Sequence, residues 1–258
     1  MTSDKLPLSV AIITKNEEDR LPACLASVAF AAEVVVVDSG STDRTVEIAR
    51  EFGAVVYVEP WQGFGRQKQL AIDRCHHDWV LVLDADERVS PEAQAEIREA
   101  LATGSNVAYS FSRKNYFCGR WLKHAGWWPD RVVRLFKKDF ARMSERSVHE
   151  SLEVQGPIGF LRQPLIHYAN KGLEQTLSKV NHYSSAGAAE LFAQGKTASV
   201  AKALLRAAWA FLHGYVLRGG FLDRGEGFVM AVSDFMNVFF KFAKLRELQK
   251  QKEKDSLS

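Results

Sequence analysis

Short runs of aliphatic and β-branched residues recur along the first 112 positions: LSVAIIT at 8–14, EVVVV at 33–37, AVVYV at 54–58 and WVLVL at 79–83. The stretches between them, 19–29, 42–52 and 64–75, read as helices. A further helix at 91–101 carries its start signal in full, with Ser90 as the cap, Pro91 at the first helical position and Glu92 in the first turn. Apolar strands without polar alternation are buried on both faces, and strands alternating with helices form right-handed βαβ units around a parallel sheet. The pattern predicts an α/β fold, a Rossmann-like, mostly parallel sheet flanked by helices. The segments do not resemble one another, which excludes a repeat protein.

From 113 to 146 the alternation stops. Ten Lys/Arg face three acids there, and Tyr116, Phe117, Trp121, Trp127 and Trp128 sit among them. Gly119, Gly126 and Pro129 interrupt any regular element. Such a segment is either a solvated face with packed rings or a mouth that receives an anionic ligand. The last ninety residues read as helical, most clearly at 173–192 and 198–217. Positions 211–242 hold seven of the sixteen phenylalanines and only six charged residues, and 241–258 is basic. A Phe-rich amphipathic pair with a basic end is one signature of an interfacial membrane segment; packing on the domain or on a second subunit is the other reading. Two parts are expected, a catalytic α/β domain at 1–170 and a helical extension at 171–258.

Composition narrows the class. With 47% apolar and 25% charged residues, the 258-residue chain is globular rather than disordered. A net charge of +3 is too balanced for a dedicated nucleic-acid binder. Cys24, Cys75 and Cys118 are odd in number and far apart, so they suggest neither a disulfide framework nor a metal knuckle and fit a reducing compartment. No signal-peptide pattern opens the chain, and no run of 18 uncharged apolar residues occurs. A cytoplasmic protein is expected, soluble or peripheral on a membrane.

Ligands of parallel α/β sheets bind beyond the carboxyl ends of the strands. Each polar cluster in the first domain follows a strand: Thr14-Lys15-Asn16-Glu17-Glu18, then Asp38-Ser39-Gly40-Ser41-Thr42-Asp43, then Asp84-Ala85-Asp86. Asp43, just before Arg44-Thr45, also suits a helix cap. Two carboxylates two residues apart, just past a buried strand, do not both stay charged comfortably without a counter-cation. Hard oxygen ligands suit Mg²⁺ or Mn²⁺, which binds one or two carboxylates together with substrate phosphates. The pair therefore predicts a metal-bridged diphosphate.

These residues carry a resemblance. The series TKNEE, VVVVDSGSTDRT, the basic and Gln-containing helix start at 63–69, and LVLDADE is similar to the inverting family 2 glycosyltransferases of the GT-A fold. GWWPDRVVRLFKK, SVHES, IHYANKG and FLHGYVLRGGFLD resemble the lipopolysaccharide-core glucosyltransferase branch of that family in Gram-negative bacteria. The likeness runs through nearly the whole chain.

The resemblance implies a UDP-sugar donor, a glycolipid (lipopolysaccharide-core) acceptor and work at the inner-membrane surface. Thr14 and Glu17 would line the nucleoside site, with Asp38 accepting a hydrogen bond from uracil. Arg66 and Lys68 would approach the nucleotide. Asp84 would face the ribose or a metal-bound water, and Asp86 would ligate the cation. His167 is a metal or phosphate contact, or a satisfied core histidine. Inversion needs a base opposite the leaving group; the candidates are Glu150, beside His149, and Asp130, which has pairing with Arg131 or Arg134 as its alternative role. Trp127 and Trp128 either stack on a sugar or pack. The chain lacks the QxxRW motif of the processive synthases, which points to transfer of one sugar. Two rival readings differ in kind. A sugar-1-phosphate nucleotidyltransferase needs a Gly-rich loop after the first strand, and 14–20 contains no glycine. A non-catalytic sugar-binding or membrane scaffold has no need of the carboxylate pair.

Overall fold

The computed structural model describes residues 5–144, 151–170 and 172–255. The chain forms two compact units, one made of Met1–Lys114 and Asp130–His167, the other of Asn115–Pro129 and Tyr168–Ser258. The stretch 115–129 thus groups with the C-terminal helices rather than with the α/β unit around it.

The α/β unit begins with β1 (Leu6–Thr14), α1 (Leu21–Ser27), β2 (Ala31–Asp38), α2 (Thr45–Glu51), β3 (Val55–Val58), α3 (Phe64–Asp73) and β4 (Trp79–Asp84). It continues through β5 (Glu87–Arg88), α4 (Pro91–Thr103) and β6 (Ala108–Phe117). After the two-residue strand β7 (Arg120–Trp121), which falls in the second unit, come β8 (Asp130–Lys137), β9 (Ala141–Met143), β10 (Leu152–Val154), β11 (Ile158–Phe160) and β12 (Leu165–Asn170). The main sheet runs β3-β2-β1-β4-β8-β6-β12-β5. Its first four strands are parallel; β8 then pairs antiparallel with β4, Leu81 opposite Leu135. The strands of this second half escape the apolar-run reading because their faces are mixed: in β8 a cation stands at every third position, Arg131, Arg134 and Lys137, with two apolar residues between each.

The parallel strands are apolar because both faces are covered. Val10 and Ile12 of β1 pack in one cluster with Leu21 and Leu25 of α1 and Ile97 of α4. The intervening Ala11 joins Val35, Val37, Val80 and Val82 under Ala71 and Ile72 of α3 on the other side. Ser90 caps α4 as the sequence predicts, accepting from the Ala93 amide at 3.2 Å. Gly104 ends the helix in the left-handed region at φ 58°, where a Cβ is strained. Register brings the strand ends to one rim, with Thr14 opposite Asp38 and Ile13 opposite Asp84.

The second unit consists mainly of α5 (Leu173–Ala193), α6 (Val200–Phe211) and the long α7 (Arg224–Asp255), with α7 packing on both others. Between α6 and α7 lie a π-helical turn, Leu212–Leu217, and a 3₁₀ turn, Gly220–Asp223. The approach of α7 to that turn requires a glycine, since a Cβ on Gly227 would lie 2.0 Å from the Gly220 carbonyl oxygen. Buried Asp223 ties the 115–129 stretch to the helices, accepting from the amides of Lys123 (3.0 Å) and His124 (2.9 Å) and pairing with His124 Nδ1 (2.9 Å). Trp127 packs with Phe117, Leu122 and Met230, and Trp128 meets Trp121 edge-on. Among the described residues no helix is long and apolar enough to cross a membrane.

Candidate active site

The loops after β1 and β2 are laced together. Thr42 donates its amide to Asn16 Oδ1 at 2.8 Å, Glu17 its amide to Thr45 Oγ1 at 2.8 Å, and Glu18 its amide to Asp43 Oδ2 at 3.2 Å. Asp43 also accepts from the Thr45 amide, which accords with a capping role. Asp38 is fully buried, and its two oxygens receive four donors: the amides of Gly40 and Ser41, and the hydroxyls of Thr14 and Ser41. A direct bond from a uracil ring to Asp38 requires one of these donors to turn away.

The corner after β4 concentrates charge. Asp84 takes Lys68 Nζ on Oδ1 at 2.7 Å and Arg134 Nη2 on Oδ2 at 2.6 Å. Glu87, wholly buried, accepts from the Asp84 amide at 3.1 Å, from Arg134 Nη2 at 2.7 Å and from Arg113 Nη1 at 3.3 Å. Arg113 also donates through Nε to Asp130 at 2.9 Å. A lone charge in such a place costs several kcal/mol, and the pairing offsets that cost. Burial alone would push the Asp84 carboxyl up, but the Arg134 guanidinium and the Lys68 ammonium outweigh it and hold the group well below the usual carboxylate range. Arg134 is desolvated too, yet Asp84 and Glu87 push its pKa above the ordinary arginine value.

Asp86 differs from its neighbour. Its Oδ2 lies 3.4 Å from Arg20 Nη1 and 3.5 Å from His167 Nε2. Its Oδ1 is buried and has no hydrogen-bond partner among the described residues. Buried carboxylate oxygens are ordinarily satisfied, so an orphan oxygen beside an imidazole calls for an explanation. An unpartnered carboxylate oxygen beside an imidazole fits one side of an open Mg²⁺ or Mn²⁺ site completed by substrate oxygens, whereas Asp84 already has both oxygens engaged by Lys68 and Arg134. No group of three or more His, Cys, Asp or Glu side chains that could hold a metal ion occurs among the described residues.

The fold thus brings Lys68, Asp84, Asp86, Asp130 and His167 to one corner, where Thr14 and Asp38 end the neighbouring strands. Arg66, by contrast, is exposed on α3. Asp130 does pair with an arginine, and that arginine is Arg113. Glu150 and His149 lie outside the described residues. Their neighbour Ser151 lines a cleft of about 390 Å³ together with Lys68, Asp84, Arg113, Arg131 and Arg134. Among the described residues that wall carries four cations and one carboxylate, and three of the cations, Arg113, Arg131 and Arg134, belong to the basic 113–146 segment. The sequence reading misses Arg20, Glu87, Arg113 and Arg134 as site residues. Glu87 adjoins the acidic pair and Arg134 lies within GWWPDRVVRLFKK, so position in a motif is the signal that points to them.

Comparison with known proteins shows the family to which the chain belongs. The family model for "Glycosyl transferase family 2" matches residues 9–169. An "Uncharacterized glycosyltransferase RT0209" of Rickettsia typhi is 35% identical over 254 residues, covering 93% of this chain and 87% of that protein. "Lipopolysaccharide core biosynthesis glycosyltransferase LpsC" of Rhizobium meliloti is 31% identical over 254 residues, covering 93% of this chain and 92% of that protein. Among solved structures, the chain is similar to S. aureus TarS 1-349, with a TM-score of 0.47 and 16% identity over 96% of this chain and 92% of that one.

Proposed function

The chain belongs to glycosyl transferase family 2 and is a glycosyltransferase, and from that premise we propose that it transfers one sugar, with inversion, from a UDP-sugar to a lipopolysaccharide-core or related glycolipid acceptor. The reaction takes place at the cytoplasmic face of the inner membrane and depends on Mg²⁺ or Mn²⁺. Glucose as the sugar follows from the family branch that the motifs resemble. The likeness to LpsC supports the acceptor class.

The observation that carries the reading is the orphan Oδ1 of Asp86 beside His167, at the carboxyl ends of β1, β2 and β4. Asp86 and His167 would hold the cation, with Asp84 nearby. When bound, such a cation neutralises charge building on the leaving diphosphate. Lys68 and Arg134, already aimed at Asp84, supply positive charge at the same corner. Thr14, Glu17 and Asp38 shape the nucleoside end, and Arg66 and Lys68 border it. Glu150 takes the proton of the acceptor hydroxyl; its neighbour Ser151 lines the cationic cleft, which suits a phosphorylated acceptor. Asp130, held by Arg113, is the second candidate for the base.

Calorimetric titration of UDP into the full chain, with and without Mn²⁺, tests the assignment. Wild type should bind UDP more tightly with the metal, and Asp86→Ala should lose at least about tenfold of that affinity, as expected when a charged ligand group is removed. Equal affinity of the two proteins in Mn²⁺ removes Asp86 from this role. A thermal-shift panel of UDP, GDP and CMP sugars then identifies the donor class.

A further inference from the structure

Within the helical unit, α6 sorts its side chains the wrong way round for a helix that merely packs. Ala203 and Ala207 are 1% and 0% exposed, whereas Leu205, Trp209 and Leu217 are 72%, 57% and 65% exposed. Leu205, Trp209, Leu212 and Val216 follow one another at intervals of four, three and four, which puts them on one stripe of the α6 helix and the turn continuing it. Leu204, Phe221 and Leu222 widen the exposed apolar surface. A contiguous patch of large apolar groups on a protein surface marks an interaction site.

The charges around the patch indicate what covers it. From 191 to 222 the chain contains no Asp or Glu, while Lys196, Lys202, Arg206 and Arg218 all fall within that stretch. A tryptophan, long aliphatic side chains and flanking cations without acids are the composition of a helix lying in the plane of an anionic bilayer. Cations near such a surface are drawn to its negative potential. Tyr215, Phe221 and Phe228 pack ring against ring, with centroids 5.5–6.4 Å apart, which stiffens the turn that follows the stripe.

We infer that the outer face of α6 and its continuation to Leu222 docks on anionic lipid, with Leu205, Trp209, Leu212 and Val216 inserted and the exposed Arg206 meeting the headgroups. Lys202 donates to the Thr197 carbonyl at 2.8 Å and Arg218 lies against Gly126, so both add positive charge beside the patch from within the protein. The inference deepens the membrane-surface part of the proposed function and is independent of the donor chemistry. It places the contact on α6 rather than on the basic end of α7, which the sequence pattern alone favours.

Co-sedimentation of the full chain with vesicles of equal parts phosphatidylglycerol and phosphatidylethanolamine tests it, against vesicles of phosphatidylcholine alone. Wild type should sediment with the anionic vesicles. The double variant Leu205→Glu, Trp209→Glu should bind them at least about tenfold more weakly, since two large apolar side chains no longer enter the bilayer and two negative charges face the anionic headgroups. A tail variant, Lys250→Gln, Lys252→Gln, Lys254→Gln, should keep most of the binding. UDP binding of all three proteins, measured in parallel, keeps failure of the lipid contact distinct from failure of the donor site. A second readout avoids charge insertion altogether: Leu205→Cys in a Cys118→Ser background, labelled with a polarity-sensitive fluorophore, should shift to the blue on anionic vesicles. The inference is overturned by a wild type that stays in solution, by loss of binding in the tail variant alone, or by an unshifted label. A wild-type dimer that the double variant dissolves, with no lipid binding, makes the face a contact between two copies and overturns it equally.

Discussion

The corner after β4 and the outer face of α6 both reverse the ordinary sorting of side chains, in opposite senses. At the corner, charged groups are taken out of water: Glu87 is wholly buried and Arg134 nearly so. On α6, leucines and a tryptophan are left in water while alanines are buried. Folding alone favours neither arrangement, because burying charge costs desolvation and exposing Leu forgoes hydrophobic stabilisation. Their difference teaches where to look for function. A buried charge network holds acids and bases in place for chemistry, whereas an exposed apolar stripe awaits a surface to cover it.

That contrast can be broken at either end. The largest effect belongs to the proton transfer. Glu150→Gln should lower kcat by about 10²–10⁴-fold and leave UDP affinity unchanged, the range expected for loss of a general base. Asp130→Asn should do less; if it is inactive while Glu150→Gln turns over, the base is Asp130. The next effect is structural. Arg134→Met removes the guanidinium shared by Asp84 and Glu87, and urea unfolding should register a loss of about 3–5 kcal/mol. A loss below about 1 kcal/mol would mean that the corner is wetter than its burial implies. The smallest effects sharpen the contrast within α6. Ala207→Leu, overpacking the inner face, should cost about 1–3 kcal/mol. Leu205→Ser, on the outer face, should change stability by less than about 0.5 kcal/mol. Reversal of that order in urea melts would show that the helix is seated the other way round.

Much of the first half was legible along the chain. The four apolar runs became β1 to β4, and Ser90-Pro91 opened α4 as written. The acidic pair stood out because Asp-Ala-Asp directly follows an apolar strand. The partners of that pair were not legible. Arg134 lies fifty residues beyond Asp84, and no local pattern links the two. The basic segment 113–146 was visible as charge, but which of its cations turn inward was not: Arg113 and Arg134 reach buried Glu87, Lys138 caps carbonyls at the end of α3, and Arg131 and Arg142 stay exposed.

The helical end shows the same limit. Counting phenylalanines drew attention to 211–242, yet Phe235 and Phe239 stack together on the half-buried part of α7. The more exposed stripe is the Leu- and Trp-bearing side of α6, where fewer rings drew notice.

Local order along the chain determined the βαβ plan, the helix starts and the placing of acids after strands, because periodicity, caps and strand ends depend on near neighbours. Tertiary structure alone decided which arginine meets which carboxylate, that β12 lays His167 opposite Glu87 and so near Asp86, and which side of α6 faces outward. Those outcomes depend on the register between distant strands and on the packing of one helix against another, and a pattern of residue types along a single segment carries neither.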